Sequence, residues 1–209
     1  MSLLFRTLAF LAVPVLPSIA QVSFGGRPLG WSSRQELPPS PTIVMPPVDA
    51  EAMIAEDEAR IATGIKAPFR FGVNHAVDLS LENSGTWHEL PNGDRVWRIT
   101  LECPEAYSIN FEFHDYFIPE GARVFAYTDS EFIGAFTMES SGGQESMGVT
   151  QLAGDRITIE YDEPATVRGR GRLRIGQVTH AYRDLFLKNN GFGASGNCNR
   201  NVICPEGDP

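Results

Sequence analysis

The chain has 209 residues, of which 42% are hydrophobic and 21% charged, and this composition excludes an intrinsically disordered chain. Its formal net charge of -9 argues against nucleic acid or an anionic membrane as a partner, because phosphate binding requires clustered Lys and Arg side chains. Part of the acidity lies in residues 49–58, which we predict to be a solvated helix face.

The first twenty residues have the three parts of a secretory signal. A short basic start ends at Arg6, an apolar run of about ten residues follows, and small residues stand at Ser18 and Ala20. The run is shorter than the ~20 residues that span a bilayer. We therefore predict a signal peptide over residues 1–20, cleaved after Ala20, and a secreted protein that leaves the membrane; the alternative is an uncleaved amino-terminal anchor.

Residues 21–48 are rich in Pro, Gly and Ser, which forbids a helix and favours extended chain. We predict a linker, or a strap laid over a neighbouring surface, and Trp31 indicates that it packs there. Asp49 then predicts the cap of a helix over residues 50–63, in which Met53, Ile54 and Ile61 form one apolar stripe and which Gly64 ends.

From Phe69 onward apolar and polar residues alternate, which is the pattern of strands with one buried face. The clearest runs cover residues 69–73, 97–101, 109–113, 157–161 and 173–175. Turn residues separate them, and Asn92-Gly93 is a strong hairpin signal. Eight or nine short strands at this spacing predict an all-β fold, an antiparallel β-sandwich of the jelly-roll or immunoglobulin-like kind, within a domain over residues 49–187.

The residues offer little catalytic chemistry. None of the four histidines, His75, His88, His114 and His180, has an obvious partner; His114 and Asp115 are strand neighbours that point to opposite faces. Ser195 does not complete a nucleophile elbow, because Asn197 replaces its last glycine. We predict no catalytic residue, cofactor or metal site in this chain.

Two further kinds of site were weighed. Two pairs of acids suggest calcium binding or glycoside hydrolysis: Asp162 with Glu163, and Asp155 with Glu160. Neither pair has the spacing of a calcium-binding loop or a second acid on a recognisable platform, so we predict that these acids are solvated turn residues. Trp87 and Trp97 could form a platform on which a sugar ring stacks. Alternating aromatic residues in a sandwich more often belong to the core, however.

Three cysteines are present. Cys103 is predicted to be a buried free thiol. Cys198 and Cys204 could bridge each other, but such a bridge would stabilise very little, and partners beyond Pro209 make better physical sense. Zinc is disfavoured by their spacing and by the lack of a nearby His.

The ending Cys198-x5-Cys204-Pro-Glu-Gly-Asp resembles the mature amino terminus of secreted bacterial serine proteases of the lysyl-endopeptidase type. Several internal segments, in this order, resemble the β-sandwich pro-region that precedes such trypsin-like domains: residues 85–99, 117–127, 133–136, 154–155, 159–161 and 178–183. The likeness covers nearly the whole chain.

The resemblance implies an amino-terminal fragment of a protease precursor whose catalytic triad and specificity pocket lie after Pro209. Cys198 and Cys204 would form disulfides with downstream cysteines, residues 188–192 would be a cleavable connector, and the mature enzyme would start at Gly193 after Phe192. The partners would be the chain's own protease domain and, later, protein substrates. The rival hypothesis is a secreted carbohydrate-binding or adhesion module.

Lysine usage bears on this resemblance. Fifteen of the seventeen basic residues are Arg, and only Lys66 and Lys188 are Lys. A pro-region almost free of lysine would survive a Lys-specific partner until it is cut near Lys188. A general preference for Arg codons would explain the same bias.

Overall fold

A computed structural model describes residues 23–31, 37–64 and 68–186, in which the chain forms ten strands and one α-helix. In chain order these are β1 (Thr42–Val44), α1 (Ala50–Ala62), β2 (Gly72–Ser80), β3 (Thr86–Glu89), β4 (Arg95–Glu102), β5 (Ser108–Phe117), β6 (Arg123–Tyr127), β7 (Phe132–Phe136), β8 (Met147–Ala153), β9 (Arg156–Glu163) and β10 (Arg172–Ala181).

The strands form two sheets, which confirms the predicted all-β sandwich. The first has six strands in the order β1-β4-β9-β6-β7, with β3 also paired to β4, and the second has four in the order β2-β10-β5-β8. All pairs are antiparallel except β1 with β4. One core lies between the sheets and receives Ile99 and Leu101 from the first and Phe111 and Phe113 from the second.

Alternation along the strands produces this core. In β5, Ile109, Phe111 and Phe113 are buried, whereas His114 on the other face is exposed. The prediction is wrong at its start, because β2 begins at Gly72 and Phe69 is 66% exposed. The Asn92-Gly93 hairpin is confirmed: it joins β3 to β4, and Gly93 has a φ of 86°.

The predicted strap is confirmed by its contacts with the six-stranded sheet. The amide of Phe24 donates to the carbonyl of Ala135 at the edge strand β7, over 3.0 Å. Trp31 packs against Phe132 with ring centroids 4.9 Å apart, and its indole Nε1 donates to the carbonyl of Thr128. Farther along the same Pro-rich segment, β1 adds a parallel strand to β4. The segment before the helix is therefore part of the sandwich surface.

Helix α1 has the predicted bounds to within one residue. The Asp49 carboxylate accepts from the amide of Ala52 at 2.9 Å, and the chain leaves the helix through Gly64, with a φ of 71°. The predicted apolar stripe is only partly buried, because Ile61 is 72% exposed. Across residues 23–31, 37–64 and 68–186, no helix is both long and apolar enough to cross a membrane.

Candidate functional site

The predicted processing and disulfide positions lie outside the described residues. They are the signal cleavage site Ala20, the connector and mature-start residues Lys188, Phe192 and Gly193, and the cysteines Cys198 and Cys204. Ser195 and both lysines also lie outside. These assignments stay predictions.

The four histidines do not form a catalytic set with one another. His180 is buried and His75 half-buried, and their rings meet edge to face with centroids 6.2 Å apart. Burial lowers the pKa of both imidazoles. His114, on the other face of the second sheet, lies 3.8 Å from the Glu112 carboxylate.

The candidate sugar platform and the central thiol belong to the core. Trp97 is fully buried in the core, and Trp87 is partly buried and packs against the core. The Arg95 guanidinium lies 3.7 Å from the Trp87 ring centroid. Cys103 is a buried free thiol as predicted, and burial raises its pKa to about 12. A thiol with that pKa is a poor nucleophile.

The prediction of solvated turn acids is wrong for three of the four residues. Glu160, Asp162 and Glu163 lie within strand β9, and Glu160 and Glu163 are fully buried. Glu163 pairs with Arg95. Asp155 is the exception and sits exposed in the β8–β9 turn. Sequence reasoning missed the burial of Glu160 because the strap that covers it comes from a segment some 130 residues earlier.

Glu160 receives the strap through hydrogen bonds. Its carboxylate accepts from the backbone amides of Leu29 and Gly30, at 2.5 and 2.9 Å, and from the Tyr127 hydroxyl at 3.0 Å. Asp162 lies two residues farther along the same face of β9, and one of its buried carboxyl oxygens lacks a hydrogen-bond partner in the described part of the chain. Burial, followed by the charge of Glu160, raises the pKa of Asp162. Glu160 is therefore the structural anchor of the strap, and the raised pKa of Asp162 favours its protonated form.

Another buried acid, Asp57 of α1, lies beside the residues that follow β10. The prediction that this acidic stretch is a solvated helix face is wrong for Asp57. Asp57 of α1 is 7% exposed. Its carboxylate accepts from the Tyr182 hydroxyl at 2.7 Å, from Arg183 at 3.0 Å and from Arg70 at 2.7 Å. We call Asp57, Arg70, Tyr182 and Arg183 the exit cluster. It joins the helix, the segment before β2 and the end of β10.

Electrostatics favour the ionised form of Asp57. Burial raises its pKa, but hydrogen bonds from Tyr182, Arg183 and Arg70 outweigh that effect and lower the pKa to about 2. The same carboxylate raises the pKa of Arg70, after the larger effect of Glu56. The exit cluster is thus a fixed ion network and holds no proton to transfer at neutral pH. The exit cluster therefore holds three segments of the chain in fixed relative positions.

No protein-family model matches the chain. In the ranges that the structure describes, no group of three or more His, Cys, Asp and Glu side chains is arranged to hold a metal ion. The exit cluster includes Arg183, which lies five positions before Lys188 in the sequence.

Proposed function

We propose that this chain is the pro-region of a secreted serine endopeptidase precursor, Lys-specific or related. In this role the sandwich is not catalytic; it assists folding of the protease domain that follows it and keeps that domain inactive. The sequence resemblance to such pro-regions supports the proposal.

The observation that carries the proposal is the exit cluster. Asp57 fixes Arg183 only five positions before Lys188, at the start of the predicted connector over residues 188–192. A rigid attachment point limits the positions that a following domain can occupy, as intramolecular inhibition requires.

The physical mechanism is preferential binding to the folded protease. A segment that binds the native state and not the unfolded one stabilises the native state by mass action, and the same contact blocks the cleft.

Maturation of the full-length precursor tests the proposal. We expect amino-terminal sequencing of the secreted enzyme to find a start between Lys188 and Gly193, and Lys188→Ala to slow its appearance at least tenfold. The matched control is Lys66→Ala, which removes the other lysine and should leave maturation unchanged. A secreted product that keeps residues 21–209 intact and has no peptidase activity would contradict the proposal.

A further inference from the structure

Three large apolar side chains are exposed around the exit cluster. Ile61 is 72% exposed, Phe69 66% and Phe186 49%. The sequence pattern assigns Ile61 to the buried stripe of the helix and Phe69 to the buried face of a strand, yet the fold covers neither. Exposed apolar side chains mark an interaction surface where they lie close together in one patch.

The contacts of the exit cluster bring these side chains together. The Arg183 guanidinium lies 5.5 Å from the Phe69 ring centroid and bonds to Asp57. Ile61 is one helical turn beyond Asp57, on the same face and about 6 Å along the axis. Phe186 follows Arg183 by three residues, a reach of about 11 Å at most. We call Ile61, Phe69, Arg183 and Phe186 the exit face.

Chain length fixes what can cover the exit face. Seven residues lead from Phe186 to Gly193, the predicted start of the next domain, and they span at most about 25 Å when fully extended. A domain that starts at Gly193 must therefore begin within about 25 Å of Phe186 in the exit face. It cannot begin at the far end of β10, about 30 Å farther along the strand.

We propose that the exit face is the docking surface for the domain of this chain that begins at Gly193. The inference rests on the proposed function and adds the surface through which the inhibition acts. Apolar side chains of that domain cover Ile61, Phe69 and Phe186, and the ion pairs around Asp57 form the polar rim of the contact.

Latency of the full-length precursor, including its downstream domain, tests this face. The double variant Ile61→Asp with Phe69→Asp places two charges in the contact, and we expect peptidase activity before cleavage to rise at least tenfold. Phe117→Asp is the matched control, because Phe117 is also exposed and lies under an arginine, Arg172, at 5.1 Å. It stands at the opposite end of β10 and should leave the precursor latent.

The outcomes separate the two proposals. A wild-type precursor that is already fully active before cleavage would overturn both the proposed function and the docking face. A latent wild type with an equally latent double variant would overturn the docking face alone.

Hydroxyl-radical labelling of the wild-type precursor gives a readout that does not depend on how the variants fold. Phe186 and Phe24 are exposed to nearly the same extent in the sandwich, at 49% and 47%. We expect Phe69 and Phe186 to be oxidised at least fivefold more slowly than Phe24. Equal rates would overturn the docking face.

Discussion

Asp57 connects three segments through a single carboxylate, so its replacement should be costly. Asp57→Asn removes the charge that Arg70 and Arg183 share, and we expect it to lower the free energy of unfolding by about 2–3 kcal/mol at pH 7. The measurement is urea unfolding. Asp115→Asn, which breaks an exposed pair with Arg172, is the control and should cost under about 1 kcal/mol.

The pH dependence of that loss has a definite sign. Because the pKa of Asp57 is lowered from 3.8 to about 2 in the fold, its contribution is complete above pH 3.8 and fades as the pH falls toward 2. The Asn variant should therefore differ from wild type at pH 7 and approach it below pH 2. A constant difference across that range would contradict the assigned network.

Asp162 should behave in the opposite way. Its pKa is raised by burial and by Glu160, so the folded state holds a proton that the unfolded chain has released, and stability falls as the pH rises above the ordinary aspartate range. We expect Asp162→Asn to be more stable than wild type at pH 8 and to show a flatter pH dependence. Thermal unfolding from pH 4 to 8 measures this, and Asp155→Asn, in an exposed turn, is the control. An Asn variant less stable than wild type at pH 8 would contradict the raised pKa of Asp162.

Sequence reasoning failed at these buried acids for a physical reason. The partners of Asp57 lie up to 126 positions away, and those of Glu160 up to 131. Local patterns assign a charged residue to solvent by default, since an acid is seldom buried unless partners compensate its charge. Only the tertiary fold supplies those partners.

At the scale of elements, Trp31 is the largest side chain through which the strap packs on the sheet. Trp31→Ala removes the packing on Phe132 and the hydrogen bond to Thr128, so we expect the amides of Leu29 and Gly30 to exchange with solvent at least tenfold faster. Hydrogen exchange read by NMR measures this. Phe24→Ala, at an exposed strap residue, is the control, and unchanged exchange in the Trp31 variant would contradict the role of Trp31 as the anchor.

Local rules predicted the elements well where one interaction decides the outcome. The Asp49 cap and Gly64 set the helix, and strict alternation marked β4, β5, β9 and β10. Sheet order and the parallel pairing of β1 with β4 were not predicted, because both depend on contacts between distant segments. The exposure of Phe69 was missed for the same reason: alternation identifies an apolar position but does not identify what covers it.

At the scale of the whole molecule, the proposed pro-region combines a sandwich core, a strap on one sheet and a charged anchor at the chain exit. The exit face is its candidate interaction surface, and this face is separate from the strap that is anchored on Glu160. This separation predicts that changes in the strap alter stability, whereas changes in the exit face alter the downstream domain.

Refolding tests the central proposal most directly. The full-length precursor and a version that lacks residues 21–192 are denatured and diluted into buffer under identical conditions. The precursor is then cleaved at the connector, and both chains are assayed for peptidase activity. We expect the precursor to recover at least tenfold more activity, because the sandwich binds the folded protease domain. Equal recovery from the two chains would contradict a pro-region that assists folding.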